Sequence, residues 1–172
     1  MKTKILVSAC LMGHKVRYNG SEKAQISETL LRWQHEQRLV THCPELAAGL
    51  SIPRLPAEIV AGGGKDVMEG NARILESDGN DVTGHYQLAA WLALRAALAS
   101  NCSAALLTDG SPTCGSEVIY DGSFSGLKRA GMGVAAALLR EHGVQVFSDN
   151  QLAELIAWVE AREAEEREND SV

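Results

Sequence analysis

The sequence predicts an α/β fold, a three-layer Rossmann-like domain with a parallel sheet, from two alternating patterns. Short aliphatic runs that are typical of buried strands occur at 4–8, 39–41, 104–108 and 144–147. Helical spacing of apolar residues lies between them at 27–37, 87–98 and 134–141, and again from 152 onward. Because helices separate the strands, we expect parallel pairing through right-handed crossovers.

The first elements carry clear signals. Residues 4–8 are rich in β-branched and aliphatic side chains, as a strand buried on both faces requires. In 27–37, Leu30, Leu31 and Trp33 repeat at helical spacing among charged residues. A strand followed by a helix is therefore predicted for the start of the chain.

The second strand leads into a less regular region. It ends at Cys43-Pro44, and Pro44 disfavours helical backbone at Cys43, which we expect to be extended. Residues 46–84 read as an irregular insertion, because prolines and a glycine triplet interrupt any pattern. Within it, 72–76 and 81–83 flank an Asp-Gly turn signal and predict a small hairpin.

The second half of the sequence predicts three further helices. The helix at 87–98 is expected to bury one apolar face that includes Leu88, Trp91, Leu92 and Leu98. Gly143 stands where a C-terminal capping glycine belongs, after the helix at 134–141.

The last helix is expected to take Asn150 as its cap. Its end, within 161–172, is a mixed-charge tail that predicts a solvated, frayed helix end.

Composition narrows the class of protein. The 172 residues suit one domain spanning 1–172, and the net charge of −6 does not indicate a nucleic-acid polymer as partner. A small-molecule partner fits better. The N-terminus lacks a signal-peptide layout, and no apolar run approaches the roughly 18 residues of a membrane span. We therefore expect a cytoplasmic protein whose four cysteines are reduced.

Three of those cysteines occupy equivalent places in the predicted fold. Cys10 follows the first strand, Cys43 the second, and Cys114 a loop after the third. Ligands of parallel α/β sheets bind outside the carboxyl ends of the strands, so these thiols are expected on one edge of the sheet. Cys102 precedes the third strand and belongs on the opposite edge, as a buried or partly exposed thiol.

Spacing alone leaves two kinds of metal site about equally supported. A structural zinc site normally has four ligands, and only His14 or His42 lies near enough in sequence to supply the fourth. An iron–sulfur cluster with one iron free of protein ligand would use three thiolates. A thiol-redox motif of the C-x-x-C type is absent. Each cysteine taken singly also fits a small buried apolar residue.

Two polar residues beside the cysteines fit metal-assisted attack of water. Glu45 follows Cys43 by two residues, and Ser111 precedes Cys114 by three. A carboxylate near a metal with an open position can take a proton from the water. The structural alternatives are a helix N-terminal charge for Glu45 and a turn residue for Ser111.

The order of the motifs resembles the bacterial thiouracil desulfidase (TudS) family over nearly the whole chain. The motifs that carry the resemblance are S-A-C-L-M-G at 8–13, V-R-Y-N-G at 16–20, C-P-E at 43–45, I-P-R-L-P-A-E-I at 52–59, D-V-T-G at 81–84, S-P-T-C-G at 111–115, I-Y-D-G-S-F-S-G at 119–126 and V-F-S-D at 146–149. The sequence departs from the family pattern at two places: Asn19 stands where aspartate is common, and 47–49 contains less glycine than expected.

The resemblance implies a [4Fe-4S] cluster held by Cys10, Cys43 and Cys114, with Glu45 as acid/base and Ser111 as an assisting hydroxyl. The activity that it implies is non-redox desulfuration of a thiolated pyrimidine, such as thiouracil or its nucleotides, with release of sulfide. The alternatives are a zinc-dependent hydrolase that uses the same cysteines and a non-catalytic cluster-binding sensor.

One substrate site is suggested by glycines. Gly131 and Gly133 open a helix whose free amides could hold an anion such as a nucleotide phosphate, with Lys128 and Arg129 nearby. A glycine pair before a helix is a weak signal for such a site, and ordinary close packing is the simpler explanation of these glycines. The preferred form of the substrate and the oligomeric state stay open at this point.

Overall fold

The computed structural model describes residues 2–12 and 27–170, and the predictions that involve His14 and Asn19 lie outside these residues. Its strands are β1 (Lys4–Ser8), β2 (Leu39–His42), β3 (Ala57–Val60), β4 (Arg73–Glu76), β5 (Cys102–Leu107), β6 (Val118–Tyr120), β7 (Lys128–Ala130) and β8 (Gln145–Ser148). Its α-helices are α1 (Glu28–His35), α2 (Pro44–Ala47), α3 (Gly64–Met68), α4 (Thr83–Ala99), α5 (Val134–Glu141) and α6 (Leu152–Asp170).

A parallel four-stranded sheet forms the centre of the molecule, in the order β2-β1-β5-β8. Leu6 of β1 lies between Val40 on one side and Ala105 on the other. The aliphatic residues Ile5, Leu6 and Val7 are at most 1% exposed, which explains why β1 is apolar at successive positions. The predicted α/β class and parallel sheet are confirmed.

Helices cover both faces of this sheet. On one face, Trp33 of α1 and Leu155 of α6 pack with Ile5 and Leu106. The opposite face packs against α4, α5 and the β3–β4 pair. The result is the predicted three-layer arrangement.

The buried face of α4 differs from the one predicted. Leu88, Trp91 and Leu98 are 47%, 52% and 56% exposed, whereas its alanines face the core. Ala89, Ala90, Ala93 and Ala97 are fully buried. Small side chains let α4 lie close to its neighbours, and a reading based on large apolar residues therefore selected the wrong face.

The insertion is more regular than predicted. β3 pairs antiparallel with β4, with Ile59 opposite Ile74, and α3 lies between them in the chain. The predicted pairing of 72–76 with 81–83 is reduced to one bridge between Leu75 and Asp81. The Asp81 carboxylate accepts a hydrogen bond from the Thr83 amide at 2.9 Å, so this segment begins α4 instead of a strand.

A second antiparallel pair was missed in the glycine-rich stretch before α5. β6 and β7 pair with Val118 opposite Ala130 and Tyr120 opposite Lys128. Strands of three residues are too short to show alternating polarity. This β6–β7 hairpin is important because its stem borders the cavity described below.

The charged C-terminal segment is helical, and an ion pair anchors part of it to the rest of the protein. Glu163 of α6 pairs with Arg38, a buried residue that also donates to the Thr3 carbonyl at 3.0 Å and lies 5.1 Å from the centre of the Trp33 ring. The expectation of a frayed end was therefore wrong at Glu163, whereas residues 167–170 are solvent-exposed as predicted. The predicted cap also differs, because the Ser148 side chain accepts from the Asn150 amide at 3.2 Å in a 3₁₀ turn before α6.

None of the described helices is both long and apolar enough to cross a lipid bilayer.

Glycines let three segments meet backbone to backbone. The Gly64 amide, at the start of α3, donates to the Met132 carbonyl at 2.7 Å, and a Cβ on Gly64 would lie 2.2 Å from the Gly133 oxygen. The Gly133 amide donates to Gly115 at 2.7 Å, and a Cβ on Gly133 would lie 2.6 Å from the Pro112 oxygen. The column Gly64–Gly133–Gly115 joins the insertion, α5 and the Cys114 loop.

Gly133→Ala should destabilise the protein by about 3 kcal/mol, because backbone atoms must separate to admit the methyl group. The free energy of unfolding from urea denaturation measures this change. Gly84→Ala is the matched control, because Gly84 lies in the first turn of α4 with nothing within 4 Å of an added Cβ. That control should gain up to about 1 kcal/mol from helix propensity. Equal stability of the two variants would contradict the close packing.

Candidate active site

Three cysteines border one cavity of about 400 Å³ at the carboxyl edge of the sheet. Cys10 lies in the 3₁₀ turn after β1, Cys43 directly after β2, and Cys114 in the loop after β5. Cys102 is the first residue of β5 and does not border the cavity. The structure thus brings together the three thiols that the edge argument selected and leaves out the fourth.

Local sequence explains how Cys43 and Glu45 reach the cavity. Cys43 has extended backbone, with φ −114° and ψ 102°, and Pro44 opens α2 at its first position. Glu45 follows in the first turn of α2. The strand end and the short helix therefore direct two chemically different side chains to one place.

Burial favours the neutral form of the Cys43 and Cys114 thiols, because it raises the pKa of each. Burial raises the pKa of Cys114 to about 12, with the neighbouring thiols raising it further and the Ser8 hydroxyl opposing the rise. Burial also raises the pKa of Cys43, against a lowering by Arg54. Binding of a metal centre would supply the compensating charge that thiolates need here.

Hydroxyl groups stand beside these sulfurs. Cys10 Sγ lies 2.8 Å from Thr108 Oγ1, and the Ser8 side chain is hydrogen-bonded to Cys114. Hydrogen bonds of this kind tune metal-bound thiolates. Ser8 is the last residue of β1 and Thr108 directly follows β5, so the parallel pairing of these strands brings both hydroxyls to the same edge of the sheet.

The donor set fits a cluster better than a single ion. Within 2–12 and 27–170, no three His, Cys, Asp or Glu side chains are arranged to hold one metal ion. A four-iron cluster distributes its thiolates over separate irons, so the three sulfurs need not converge on one point. His42 borders the same cavity, and burial lowers the pKa of its imidazole.

Glu45 is held by three side chains. Arg54, whose side chain is 4% exposed, pairs with Oε2 of Glu45. Thr113 Oγ1 donates to Oε1 of Glu45 at 2.8 Å, and Ser111 Oγ lies 3.4 Å from the same oxygen. The carboxylate is therefore fixed in position at the cavity wall.

Ser111 is a turn residue of the Cys114 loop and is also a neighbour of Glu45. Its hydroxyl oxygen accepts from the Thr113 amide at 3.1 Å and the Cys114 amide at 3.3 Å, which makes it a turn residue. It also contacts Glu45. Loss of this side chain would affect both the loop that carries Cys114 and the carboxylate.

Asp109 organises the rest of the Cys114 loop. One oxygen, Oδ1, accepts from four backbone amides between 3.0 and 3.2 Å, those of Gly110, Ser116, Glu117 and Val118. No role was predicted for Asp109 from the sequence. Its position directly after a strand and before the glycine-rich loop was the available signal.

The amides near Gly131 and Gly133 already have partners. Gly131 donates to Glu117 at 3.1 Å, Val134 to Pro112 at 2.8 Å and Ala135 to Thr113 at 2.9 Å, in addition to the Gly133 bond described above. These contacts support the close-packing interpretation over the anion site. The physical reason is that the Cys114 loop itself supplies carbonyl groups to the N-terminus of α5.

Three further polar residues of the site were also missed: one borders the cavity and two hydrogen-bond the Glu45 carboxylate. Thr113 and Glu58 received no role from sequence, and Arg54 was noted within a motif without one. Thr113 contacts Glu45 across 68 residues of sequence, and Arg54 contacts it across 9. Glu58 contacts Gly122 across 64 residues. Only the motifs S-P-T-C-G and I-P-R-L-P-A-E-I include these three residues.

Comparison with known proteins agrees with this geometry. The 2-thiouracil desulfurase family model matches residues 5–151. YbbK of Bacillus subtilis (strain 168), an uncharacterised protein, is 47% identical over 152 residues, covering 88% of this chain and 99% of YbbK. A solved structure of the [4Fe-4S]-dependent thiouracil desulfidase TudS superposes with a TM-score of 0.84 at 44% identity, covering 93% of this chain and 99% of that one. The chain therefore belongs to the 2-thiouracil desulfurase family.

Proposed function

We propose that this protein hydrolyses the C=S bond of a thiolated pyrimidine to C=O and releases sulfide. The observation that supports this most directly is the shared cavity, whose lining includes two buried thiols, the half-buried thiol of Cys43 and a carboxylate held by Arg54 and Thr113. A cavity of about 400 Å³ suits a small molecule.

Cys10, Cys43 and Cys114 are proposed to hold a [4Fe-4S] cluster. A bound cluster with one iron free of protein thiolate supplies a soft Lewis acid suited to the thiocarbonyl sulfur. The protein contributes a buried site, hydroxyl groups beside the sulfurs and a Cys114 loop fastened by Asp109.

Glu45 is proposed to act as the general base. Its carboxylate takes a proton from water as the water oxygen attacks the carbon of the C=S group. The C–S bond then breaks, and the sulfur leaves as sulfide with the protons that the water provided. No oxidant or reductant is needed, because water and the thiocarbonyl together balance to a carbonyl and hydrogen sulfide.

Arg54, Thr113 and Ser111 are proposed to orient Glu45. Arg54 holds Oε2, which leaves Oε1 to face the hydroxyls of Thr113 and Ser111. A base must lie within hydrogen-bond reach of the proton that it removes, so a fixed carboxylate is an advantage.

Glu45→Gln should lower kcat by at least about 100-fold, because an amide cannot take the proton. The visible absorbance of the reconstituted protein should be unchanged. Sulfide release from 2-thiouracil measures the rate, and Glu69→Gln, on an exposed side chain that pairs with the exposed Lys65, is the matched control. Full turnover in Glu45→Gln would rule out its role as the base.

Cys10→Ala, Cys43→Ala and Cys114→Ala should each lose the iron–sulfur absorbance and the bound iron after anaerobic reconstitution. Cys102→Ala should keep both, since Cys102 lies at the opposite edge of the sheet. Iron and sulfide analysis of the four proteins checks this. Stoichiometric zinc in a colourless wild type would favour the zinc hydrolase, and a coloured wild type inert toward thiolated bases would favour a sensor.

Thr113→Val should lower kcat by about 10-fold while leaving KM within a few-fold, because the Glu45 carboxylate loses its 2.8 Å hydroxyl contact. Thr113→Ser, which keeps the hydroxyl, should restore most of the rate. The comparison uses initial rates of sulfide release at equal cluster content. Identical kcat values in the valine and serine variants would show that the hydroxyl has no part in orienting Glu45.

A further inference from the structure

Glu58 is a buried acid that borders the cavity and has no part in the chemistry described so far. It lies in β3, is 8% exposed and belongs to the I-P-R-L-P-A-E-I motif. Arg54 of the same motif forms a salt bridge with Glu45. Among the described residues, no salt bridge involves Glu58. A buried carboxylate requires hydrogen-bond donors, and backbone amides supply them here.

One oxygen of Glu58 fastens the tip of the β6–β7 hairpin. Oε1 accepts from the Gly122 amide at 3.0 Å and the Phe124 amide at 3.3 Å. Gly122 has a φ of +91°, and a Cβ there would lie 2.7 Å from the Ile59 oxygen, so the hairpin tip lies directly against β3. The orientation of the carboxylate is set by these contacts.

The other oxygen is available to a ligand. Within 2–12 and 27–170, both hydrogen bonds to Glu58 go to Oε1, and Oε2 has no donor. Because Glu58 borders the cavity and its first oxygen is committed to the hairpin, Oε2 is the acceptor that a bound molecule would meet.

We propose that Glu58 is the specificity-determining residue of this site and that Oε2 accepts the ring N3–H of the thiolated pyrimidine. The inference rests on the proposed function. N3 is the ring nitrogen that keeps its hydrogen in the base, the nucleoside and the nucleotide, since N1 carries the sugar. N3–H also lies next to both C2 and C4, so one acceptor serves a sulfur at either carbon.

This contact selects between pyrimidines. A thiouracil ring presents a hydrogen-bond donor at N3, whereas a thiocytosine ring presents a lone pair there. A fixed carboxylate oxygen repels that lone pair and leaves both groups unpaired. Sites that hydrogen-bond a substrate N–H reject analogues that lack it more strongly than apolar pockets reject a change in size.

Glu58→Gln separates recognition from the structural role. The Gln carbonyl oxygen can keep the two hairpin amides, and its NH₂ group then replaces Oε2 at the cavity. The hairpin contact is preserved while the cavity-facing group changes from acceptor to donor. Thermal unfolding should therefore stay near that of the wild type, and Glu69→Gln serves as the control for a change of charge alone.

The reconstituted holoenzymes are compared on 2-thiouracil, its 1-methyl and 3-methyl derivatives, and 2-thiocytosine. Glu58→Gln should raise KM for 2-thiouracil and 1-methyl-2-thiouracil about 10- to 100-fold with a small change in kcat. The 3-methyl derivative, already poor for the wild type, should lose nothing further. The ratio of kcat/KM for 2-thiouracil over 2-thiocytosine should fall in the variant.

Equal kinetics of wild type and Glu58→Gln, or an equal loss on 3-methyl- and 1-methyl-2-thiouracil, would overturn the assignment. Binding of uracil, measured by calorimetry, separates this inference from the proposed function. If no thiolated pyrimidine yields sulfide but uracil binds about 10-fold or more weakly to Glu58→Gln, recognition stands and the activity fails. If neither wild type nor variant binds uracil, recognition fails as well.

Discussion

Parallel pairing of β1 with β2 and β5 is the constraint on which the site depends. Cys10, Cys43 and Cys114 differ in residue number by 33 and 71, and no local motif could bring them together. Because three adjacent strands run in the same direction, the segments that follow them begin at one edge of the sheet. The chain also turns from β2 on one side of β1 to β5 on the other, the kind of switch at which α/β folds bind ligands.

Glu45 and Glu58, two carboxylates that border this cavity, differ in the groups that hold them. Glu45 has a cation, Arg54, on one oxygen and hydroxyl groups near the other, an arrangement that holds a base in place. Among the described residues, Glu58 accepts from two backbone amides on one oxygen, which orients the group and leaves the second oxygen for a ligand. Arg54 and Glu58 are four residues apart in the chain, so one short motif serves both the base and the proposed recognition of the ring.

The central sheet could be predicted because buried parallel strands are apolar at successive positions, as in Ile5, Leu6 and Val7. The partners of Glu45 could not, because Thr113 reaches it across 68 residues and no pattern encodes such a contact. The core face of α4 was misread since alanine, with little hydrophobic signal, supplies its packing surface. Three-residue strands such as β6 carry no readable period, and the hairpin that holds Glu58 was therefore missed.

The glycine column links the stability of the fold to the geometry of the site. The Cys114 loop offers carbonyl groups to the first amides of α5, while the Met132 carbonyl, just before α5, accepts the Gly64 amide of the insertion. Any side chain within this column would push the loop, the helix and the insertion apart. The loop carries Cys114, Ser111 and Thr113, and the insertion carries Arg54 and Glu58. These two segments keep their spacing only if their backbones stay in contact. A tightly packed junction without side chains thus fixes the spacing between the loop that orients the proposed base and the segment that carries the proposed recognition oxygen.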